Sequence, residues 1–346
     1  MGSSFAYPLM RDYLPSSIFI EIWLRIMLPR SQNEPSDYLK TQCMGINFKS
    51  PIGAEAGVDI NCTSKSKLFN LGLGFVEFGP VTPTAENKVS SFLKINAQEV
   101  IQIAPFRNSG GTWVKKQLLH NPSGPRGISL SPHGKNIEGI PHLTDEDFLS
   151  LIMNLYPVSD YLTINLCSSP FRKIDYYSKP YRYQNLLHKV SEYRDQEMGL
   201  QTAYETHLIN FIEEKARRLC TPIFVKVNEN WQDIEGLVSA CLKFGFDGII
   251  VGSEKQDAEI SRKMIERVYK ASDGKLVIIS YGGIQTGKEV LERIKRGAKL
   301  VQIYHILFTE GPIGAQRIER ELVEEMKKEG FKNVDEAVGT YYFKAK

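Results

Sequence analysis

The sequence predicts a (β/α)8 barrel, the TIM-barrel fold class, and three observations support this prediction. Eight short apolar runs alternate with amphipathic segments along the 346-residue chain. Near the end, residues 277–294 read VIISYGGIQTGKEVLERI, an apolar strand that enters a Gly-Gly turn and then an amphipathic helix. No early GxGxxG motif supports the main alternative, an open doubly wound sheet.

Most of the predicted strands are β-branched runs without strict alternation, which is typical of buried parallel strands. The predicted strands cover residues 52–56, 75–79, 127–130, 161–166, 223–227, 248–251, 276–280 and 300–304. Amphipathic patterns predict helices at residues 65–70, 112–120, 145–155, 202–219, 231–244, 258–271 and 288–295. A last helix at 314–329 ends at Gly330, a residue type that favours a left-handed helix end.

Composition limits the functional classes. The chain is 42% apolar, which suits one large barrel with an extension. Its 43 basic and 40 acidic residues are well mixed, so no nucleic-acid surface is expected. The five cysteines form no CxxC pair and no His-rich cluster, which argues against a metal site and favours a reducing compartment.

The first 42 residues differ in character from residues 43–346, which carry the barrel pattern. Ile18–Pro29 reads IFIEIWLRIMLP, with only Glu21 and Arg25 charged. This run is shorter than the roughly 20 residues that span a bilayer, yet too apolar for a solvated helix. We expect a helical extension that lies in a membrane interface or against another protein. The alternative is packing across the bottom of its own barrel.

The Gly-Gly turn predicts a phosphate site. Gly282 and Gly283 stand between an apolar strand and a helix, where backbone N–H groups at the helix N-terminus can bind phosphate without side chains. The sequence therefore predicts a barrel built to hold a phosphorylated cofactor at this turn.

Several blocks in this order resemble one family, the class 2 (quinone-linked) dihydroorotate dehydrogenases. They are IGAEAGVD at 52–59, LGLGFVEFGPVTP at 71–83, FRNSG at 106–110, YLTINLCSSP at 161–170 and GGIQTGKEVLERIKRGAKLVQIYHILFTEGP at 282–312. The resemblance covers nearly the whole chain. It implies an FMN-containing TIM barrel that oxidises dihydroorotate to orotate and passes electrons to ubiquinone. It also implies a two-helix N-terminal extension at the mitochondrial inner membrane.

The resemblance also assigns positions within the site. The residues at positions that bind FMN in the family are Ala56, Gly57, Lys226, Gly282, Gly283, Tyr304 and His305. The position of the catalytic base corresponds to Ser169, and the substrate-facing polar positions correspond to Asn108 and Asn165. A threonine stands in the family where this chain has His305. This histidine either replaces one phosphate contact or lies at the rim of the site.

Other positions depart from the family pattern. A lysine that reaches flavin and orotate is replaced by Ile60, which can neither hydrogen-bond nor carry charge. A serine that contacts the flavin is replaced by Pro80, which lacks both the hydroxyl and the backbone donor. The loop between Asn165 and Pro170 is one residue longer than in the family, and Phe171 replaces the substrate asparagine. The glycine-rich loop that shares the phosphate has no counterpart, since residues 253–263 contain no glycine.

These departures predict a catalytically inactive relative that has lost FMN. We expect a structural or accessory subunit of a mitochondrial inner-membrane complex, either a respiratory-chain or an ATP-synthase assembly. It would associate peripherally, with other subunits as partners and with inner-membrane lipid through Ile18–Pro29. Residues 171–183 (FRKIDYYSKPYRY) carry four tyrosines among cations, which suits a protein interface, although an ordinary solvated loop fits equally. The alternative function is a divergent FMN-dependent dihydroorotate dehydrogenase.

Overall fold

We describe the protein from a computed structural model. The described residues are 34–64, 67–86, 92–95, 100–103, 108–119, 123–133, 143–167, 176–208 and 221–343. Ser169 and the apolar segment Ile18–Pro29 lie outside these ranges, so their predicted roles stay predictions. The division of the chain between residues 42 and 43 also stays a prediction, and it falls within the described strand Thr41–Cys43.

The described residues form twelve strands. In chain order they are β1 (Thr41–Cys43), β2 (Ile46–Phe48), β3 (Ile52–Ala54), β4 (Phe75–Val81), β5 (Phe92–Ile95), β6 (Val100–Ile103), β7 (Arg126–Leu130), β8 (Tyr161–Asn165), β9 (Ile223–Asn228), β10 (Gly248–Gly252), β11 (Val277–Tyr281) and β12 (Leu300–Ile303). Strands β3, β4 and β7 to β12 each pair in parallel with the next, and β12 pairs with β3. This closed eight-stranded parallel barrel confirms the predicted fold class.

Eight α-helices accompany the strands in the described part of the chain. They are α1 (Gly111–Leu118), α2 (Leu143–Leu155), α3 (Pro180–Leu208), α4 (Ile234–Lys243), α5 (Ala258–Ser272), α6 (Gly287–Lys295), α7 (His305–Thr309) and α8 (Pro312–Glu329). Short 3-10 turns lie at Asp37–Leu39, Lys67–Leu71, Tyr156–Val158, Val334–Ala337 and Thr340–Tyr342. Among these residues no helix is both long and apolar enough to cross a membrane.

Helix α6 shows how the local sequence fixes an element beside the site. Thr286 caps its N-terminus, because the threonine hydroxyl accepts a hydrogen bond from the Glu289 N–H. Val290, Leu291 and Ile294 recur at helical spacing and are buried, so the helix packs one apolar face inward. The cap and the apolar face together place the preceding Gly-Gly turn at the carboxyl end of β11.

Helix α3 differs from the prediction. The sequence pattern predicted a helix at 202–219, whereas the helix begins at Pro180 and is described as far as Leu208. The earlier start places residues 180–183 of the aromatic and basic stretch within this helix, while its role as an interface or a solvated loop stays a prediction. Tyr177 and Tyr183 are buried and belong to the main hydrophobic core. Both phenols are satisfied internally, since Tyr177 donates to Asp145 at 2.6 Å and Tyr183 donates to Asp233 at 2.7 Å. An aromatic-rich stretch therefore anchors the helix to its own barrel.

The amino-terminal end of the barrel, its bottom, is closed by an antiparallel hairpin of β1 and β2 that the sequence pattern did not predict. Phe48 in β2 packs edge-to-face on Phe75 at 5.7 Å between ring centroids. Tyr161 extends the aromatic cluster from Phe75 to Phe224, which lies 5.5 Å away. Because these three residues lie in the first two positions of β4, β8 and β9, the cluster fills the bottom of the barrel.

Candidate functional site: the carboxyl end of the barrel

The centre of the opposite end, which we call the mouth, holds a buried ion pair. Lys226 lies in β9 and is 4% exposed, and its Nζ contacts Glu55 Oε1 at 2.9 Å. Glu55 directly follows β3, so the pair joins two strands across the barrel. Burial alone lowers the pKa of Lys226, but the neighbouring carboxylates of Glu55 and Glu77 outweigh it and raise the pKa overall. Lys226 is therefore a cation whose charge is balanced within the protein.

The Tyr281 ring covers this cation. It stands at the end of β11, is 1% exposed, and has its centroid 4.0 Å from Lys226 Nζ, within cation–π distance. Its hydroxyl donates to the Val227 carbonyl at 3.2 Å and lies 3.8 Å from Cys167 Sγ. The ring therefore extends across the mouth from β11 to β9.

Cys167 lies at the mouth as a buried thiol. The side chain is buried, and desolvation raises the pKa of the thiol well above its ordinary value. A thiol held neutral is a poor nucleophile. Burial therefore favours a packing role for Cys167 over a nucleophilic one.

The two predicted asparagines make hydrogen bonds to neighbouring loops. Asn165 donates from Nδ2 to Ser129 Oγ at 3.2 Å, and its Oδ1 accepts from the Cys167 N–H at 3.1 Å. Asn108 Oδ1 lies 2.7 Å from the Thr82 hydroxyl and accepts from the Gly110 N–H at 2.9 Å. Both side chains are buried and hold loops at the carboxyl ends of the strands.

The Gly-Gly turn packs closely against the loop after β10. Gly282 has φ +76°, and a Cβ there would lie 2.0 Å from the Ser253 carbonyl oxygen, so glycine is required. The Gly283 N–H donates to Gln256 Oε1 at 2.9 Å. This predicted phosphate donor is therefore already engaged by a side chain of the same protein.

Arg293 in α6 holds the turn from the helix side. Its guanidinium is 0% exposed and donates to Ser280 Oγ at 3.0 Å and to the Tyr281 carbonyl at 2.9 Å. It also donates to the Gly282 carbonyl and pairs with Glu289 at 2.8 Å. Desolvation lowers the pKa of Arg293. The guanidinium fixes both residues that precede Gly283.

His305, for which the sequence left open a phosphate contact or a rim position, is a buried residue. It begins α7, is 6% exposed, and neither ring nitrogen has a hydrogen-bond partner in the described structure. Burial lowers the pKa of its imidazole. Ser253 Oγ, at the neighbouring strand ends, is likewise buried without a partner among the described residues. Tyr304 precedes His305 and packs edge-to-face on Phe308 at 5.0 Å.

The remaining predicted positions belong to the backbone around β3. The Gly57 N–H donates to the Gly79 carbonyl at 2.7 Å, and Ala56 is partly exposed beside Glu55. The structure thus brings Lys226, Asn165 and the Gly-Gly turn to one end of the barrel. Within the described residues no cluster of acidic, histidine and cysteine side chains could hold a metal ion.

Sequence reasoning missed Glu55 and Tyr281, which are the partners of Lys226. The sequence did carry a signal for Glu55. It is a lone carboxylate inside the apolar run IGAEAG, and a carboxylate in an internal strand needs a buried cation as its partner. The same signal marks Glu77 in FVEFG. Its Oε2 accepts from Tyr161 at 3.1 Å, Thr163 at 3.2 Å and Gln302 at 2.8 Å, and desolvation raises the pKa of Glu77.

Comparison with known proteins identifies the family. The profile of the dihydroorotate dehydrogenase family matches residues 38–326, most of the chain. The chain belongs to this family. A quinone-dependent dihydroorotate dehydrogenase from Sulfurimonas denitrificans is 32% identical over 330 residues, which cover 87% of this chain and 85% of that protein. The mouse mitochondrial quinone-dependent enzyme is 28% identical over 348 residues, which cover 90% of this chain and 82% of the mouse protein.

Solved structures of the family share the fold. The dihydroorotate dehydrogenase of Eimeria tenella in complex with ferulenol aligns with a TM-score of 0.78 at 22% identity, covering 98% of this chain and 99% of that one. The ligand-free form from the same organism aligns with a TM-score of 0.74 at 23% identity, covering 96% and 98%. This dihydroorotate dehydrogenase relative therefore keeps the family barrel at low sequence identity.

Proposed function

We propose that this dihydroorotate dehydrogenase relative is a catalytically inactive accessory subunit of a mitochondrial inner-membrane complex, either of the respiratory chain or of the ATP synthase. In this proposal the chain has lost FMN and associates peripherally with the membrane. The barrel then serves as a structural body rather than as an oxidoreductase.

The observation that carries the proposal is the ion pair of Glu55 and Lys226 beneath Tyr281. A lysine at this position can assist a flavin only if its positive charge is free to interact with the flavin ring. Here the charge is neutralised by a carboxylate at 2.9 Å and covered by an aromatic ring at 4.0 Å. Displacing either group would expose a buried charge, which is energetically costly. The mouth therefore does not fit a flavin ring at Lys226.

The phosphate side supports the same conclusion. The Gly283 N–H donates to Gln256 Oε1, and Ser253 approaches Gly282 closely enough to exclude a Cβ. A phosphate at this turn needs free backbone donors. FMN would have to displace Gln256 to reach that N–H.

The role as a subunit rests on sequence features and on relatives. Ile18–Pro29 is an apolar run suited to a membrane interface or to a partner protein. The mouse relative is named as a mitochondrial protein. Tyr181 remains 60% exposed at the start of α3, beside Arg182, whose guanidinium lies 5.0 Å from the Tyr181 ring centroid. Tyrosine and arginine are residues that anchor protein interfaces.

A second candidate function is a divergent FMN-dependent dihydroorotate dehydrogenase. The specific observation in its favour is that the buried side chains of His305 and Ser253, which follow β12 and β10, have unpaired polar atoms within the described part of the chain. Buried polar groups normally have partners, so a bound phosphate group would account for both. The ion pair at Lys226 argues against binding of the flavin ring, but it does not involve His305 or Ser253.

One experiment separates the two functions. The protein is isolated from its native membrane in mild detergent, any cofactor is released by heat, and flavin fluorescence is measured per mole of protein. We expect no flavin and co-migration with a large complex on a native gel. Stoichiometric FMN would overturn the inactive-subunit proposal, and dihydroorotate oxidation would then be measured with Ser169→Ala as the control. A flavin-free protein that migrates alone would overturn the subunit role.

A further inference from the structure

A second set of groups lies at the carboxyl end of the barrel, away from the ion pair. Thr84 follows β4 and His133 follows β7, the neighbouring strand. His133 Nε2 lies 3.0 Å from Thr84 Oγ1, and His133 Nδ1 lies 3.0 Å from Glu86 Oε1. A hydroxyl, an imidazole and a carboxylate are thus connected in series at hydrogen-bond distances.

The hydrogen bonds fix the tautomer of His133. The backbone N–H of Thr84 also donates to Nε2, at 3.4 Å. Because a backbone N–H can only donate, Nε2 carries the lone pair and Nδ1 carries the proton, which Nδ1 donates to Glu86. Nε2 is therefore the atom that can accept the hydroxyl proton of Thr84, as a general base must.

Each of the three residues also makes a hydrogen bond to a residue outside this set. Glu86 pairs through its backbone with Asn108 in both directions, at 3.0 and 3.2 Å. The His133 N–H donates to Asp147 Oδ2 at 2.9 Å. The Thr84 carbonyl lies 2.7 Å from the Thr82 hydroxyl. His133 is only 7% exposed, whereas Thr84 is exposed, so the hydroxyl is the member that a substrate can reach.

The backbone after Thr84 offers a donor for a developing oxyanion. Ala85 follows Thr84 directly, and its N–H donates to no acceptor among the described residues. In enzymes that use a hydroxyl nucleophile, backbone N–H groups commonly stabilise the oxyanion. The carboxyl end of the strands is also the face where TIM barrels carry out chemistry.

We propose that Thr84, His133 and Glu86 form a hydrolytic site that cleaves carboxylic esters with small acyl groups. Thr84 Oγ1 attacks the ester carbonyl carbon while its proton passes to His133 Nε2. The bond from carbon to the alcohol oxygen breaks, and the alcohol leaves with that proton. Water then attacks the acyl-threonine, gives a proton to Nε2, and releases the carboxylic acid as Thr84 regains its proton. Glu86 is a positioning residue that holds the imidazole in the required tautomer. This activity is independent of the flavin question.

The test measures hydrolysis of p-nitrophenyl acetate by the full-length protein. We expect Thr84→Ala and His133→Gln each to lower the rate about a hundredfold, and Thr84→Ser to retain activity. Glu86→Gln should lower kcat without raising KM, and Glu86→Asp should partly restore it. Mass spectrometry of rapidly quenched protein should place one acetyl group on Thr84.

His188→Gln is the matched control, because His188 also faces a glutamate, Glu192 at 3.7 Å, but on an exposed helix surface. Its rate should equal that of the wild type. Hydrolysis that persists in Thr84→Ala, an acetyl group on another residue, or a wild-type rate no higher than that of buffer would overturn the proposal. The three groups would then be a hydrogen-bonded link between two loops. Circular dichroism of every variant, together with the active Thr84→Ser protein, separates lost chemistry from lost fold.

Discussion

The two ends of this barrel are closed in different ways. The bottom is filled by aromatic side chains, where Phe48 from the β1–β2 hairpin packs on Phe75 and the cluster continues to Tyr161. The mouth is filled by charged and polar groups, with the ion pair of Glu55 and Lys226 at its centre. Apolar packing has no required partner atom, whereas each buried charge at the mouth depends on one particular neighbour.

This difference has consequences for stability and for function. Aromatic packing at the bottom stabilises the fold through buried area, which does not change with pH. At the mouth, the same self-contained pairing that satisfies Lys226 also withdraws its charge from any ligand. The mouth therefore retains the architecture of a cofactor site while its polar groups bind each other. The following experiments test that contrast, from the largest expected effect to the smallest.

Breaking the ion pair should have the largest effect. Lys226→Met leaves Glu55 buried without its cation, and we expect a loss of about 3–5 kcal/mol in the free energy of unfolding. The double variant Glu55→Gln, Lys226→Met should recover most of this loss, since no charge is left unpaired. Urea unfolding of all variants measures the coupling. Lys49→Met is the matched control, because its pair with Glu34 is exposed and should contribute at most about 1 kcal/mol.

If the double variant were as unstable as the sum of the single changes, the two residues would not be coupled. The mouth would then resemble the bottom in depending on packing alone.

Removing the aromatic contact at the bottom should have the next largest effect. Phe48 is 2% exposed, so Phe48→Ala creates a cavity, with an expected loss of about 3 kcal/mol. The loss should be the same at pH 5 and pH 8, because no titrating group is removed. Phe48→Leu should cost less, as it keeps most of the volume. A loss that varied strongly with pH would contradict the purely apolar description of this end.

His305 should make the mouth sensitive to acid. Its folded-state pKa is lowered by burial, so below about pH 6.5 the unfolded chain binds more protons than the folded one. The stability contribution is therefore present at neutral pH and lost as the pH falls. We expect His305→Gln to flatten this fall, by about 1 kcal/mol between pH 7 and pH 5. Thermal melts across that range measure it.

His188→Gln provides the comparison for this measurement, since His188 is exposed on α3 and its removal should leave the pH dependence unchanged. An equal change in both variants would show that the acid sensitivity does not come from the mouth.

Glu77→Gln should have the smallest effect at neutral pH. Burial raises the pKa of Glu77, so the folded state binds more protons and wild-type stability falls as the pH rises through the raised pKa. The amide side chain in the Glu77→Gln variant can still accept hydrogen bonds from Tyr161 and Gln302. Because an amide does not titrate, the loss of stability with rising pH should disappear. We expect a change within about 1 kcal/mol at pH 7 and a flatter dependence of the free energy of unfolding on pH. A large loss at every pH would mean that Glu77 is needed as a charged partner of Lys226.

Much of the barrel could be predicted from the sequence, because buried parallel strands are read directly from short β-branched runs. All eight barrel strands lie where the runs predicted them, with ends that differ by one or two residues. The hairpins β1–β2 and β5–β6 were missed, since their three- or four-residue strands carry no distinctive apolar run. The start of α3 was missed because Pro180 at a helix N-terminus was read as part of a loop.

By itself, the sequence determined the fold class and the glycine turn, because each depends on residues close together in the chain. The tertiary structure alone decided which groups meet. Glu55 and Lys226 are 171 positions apart, and Thr84 and His133 are 49 apart. Barrel closure brings such pairs within 3 Å of each other, a distance that no local pattern encodes. The chemistry left at the mouth follows from those distant pairings.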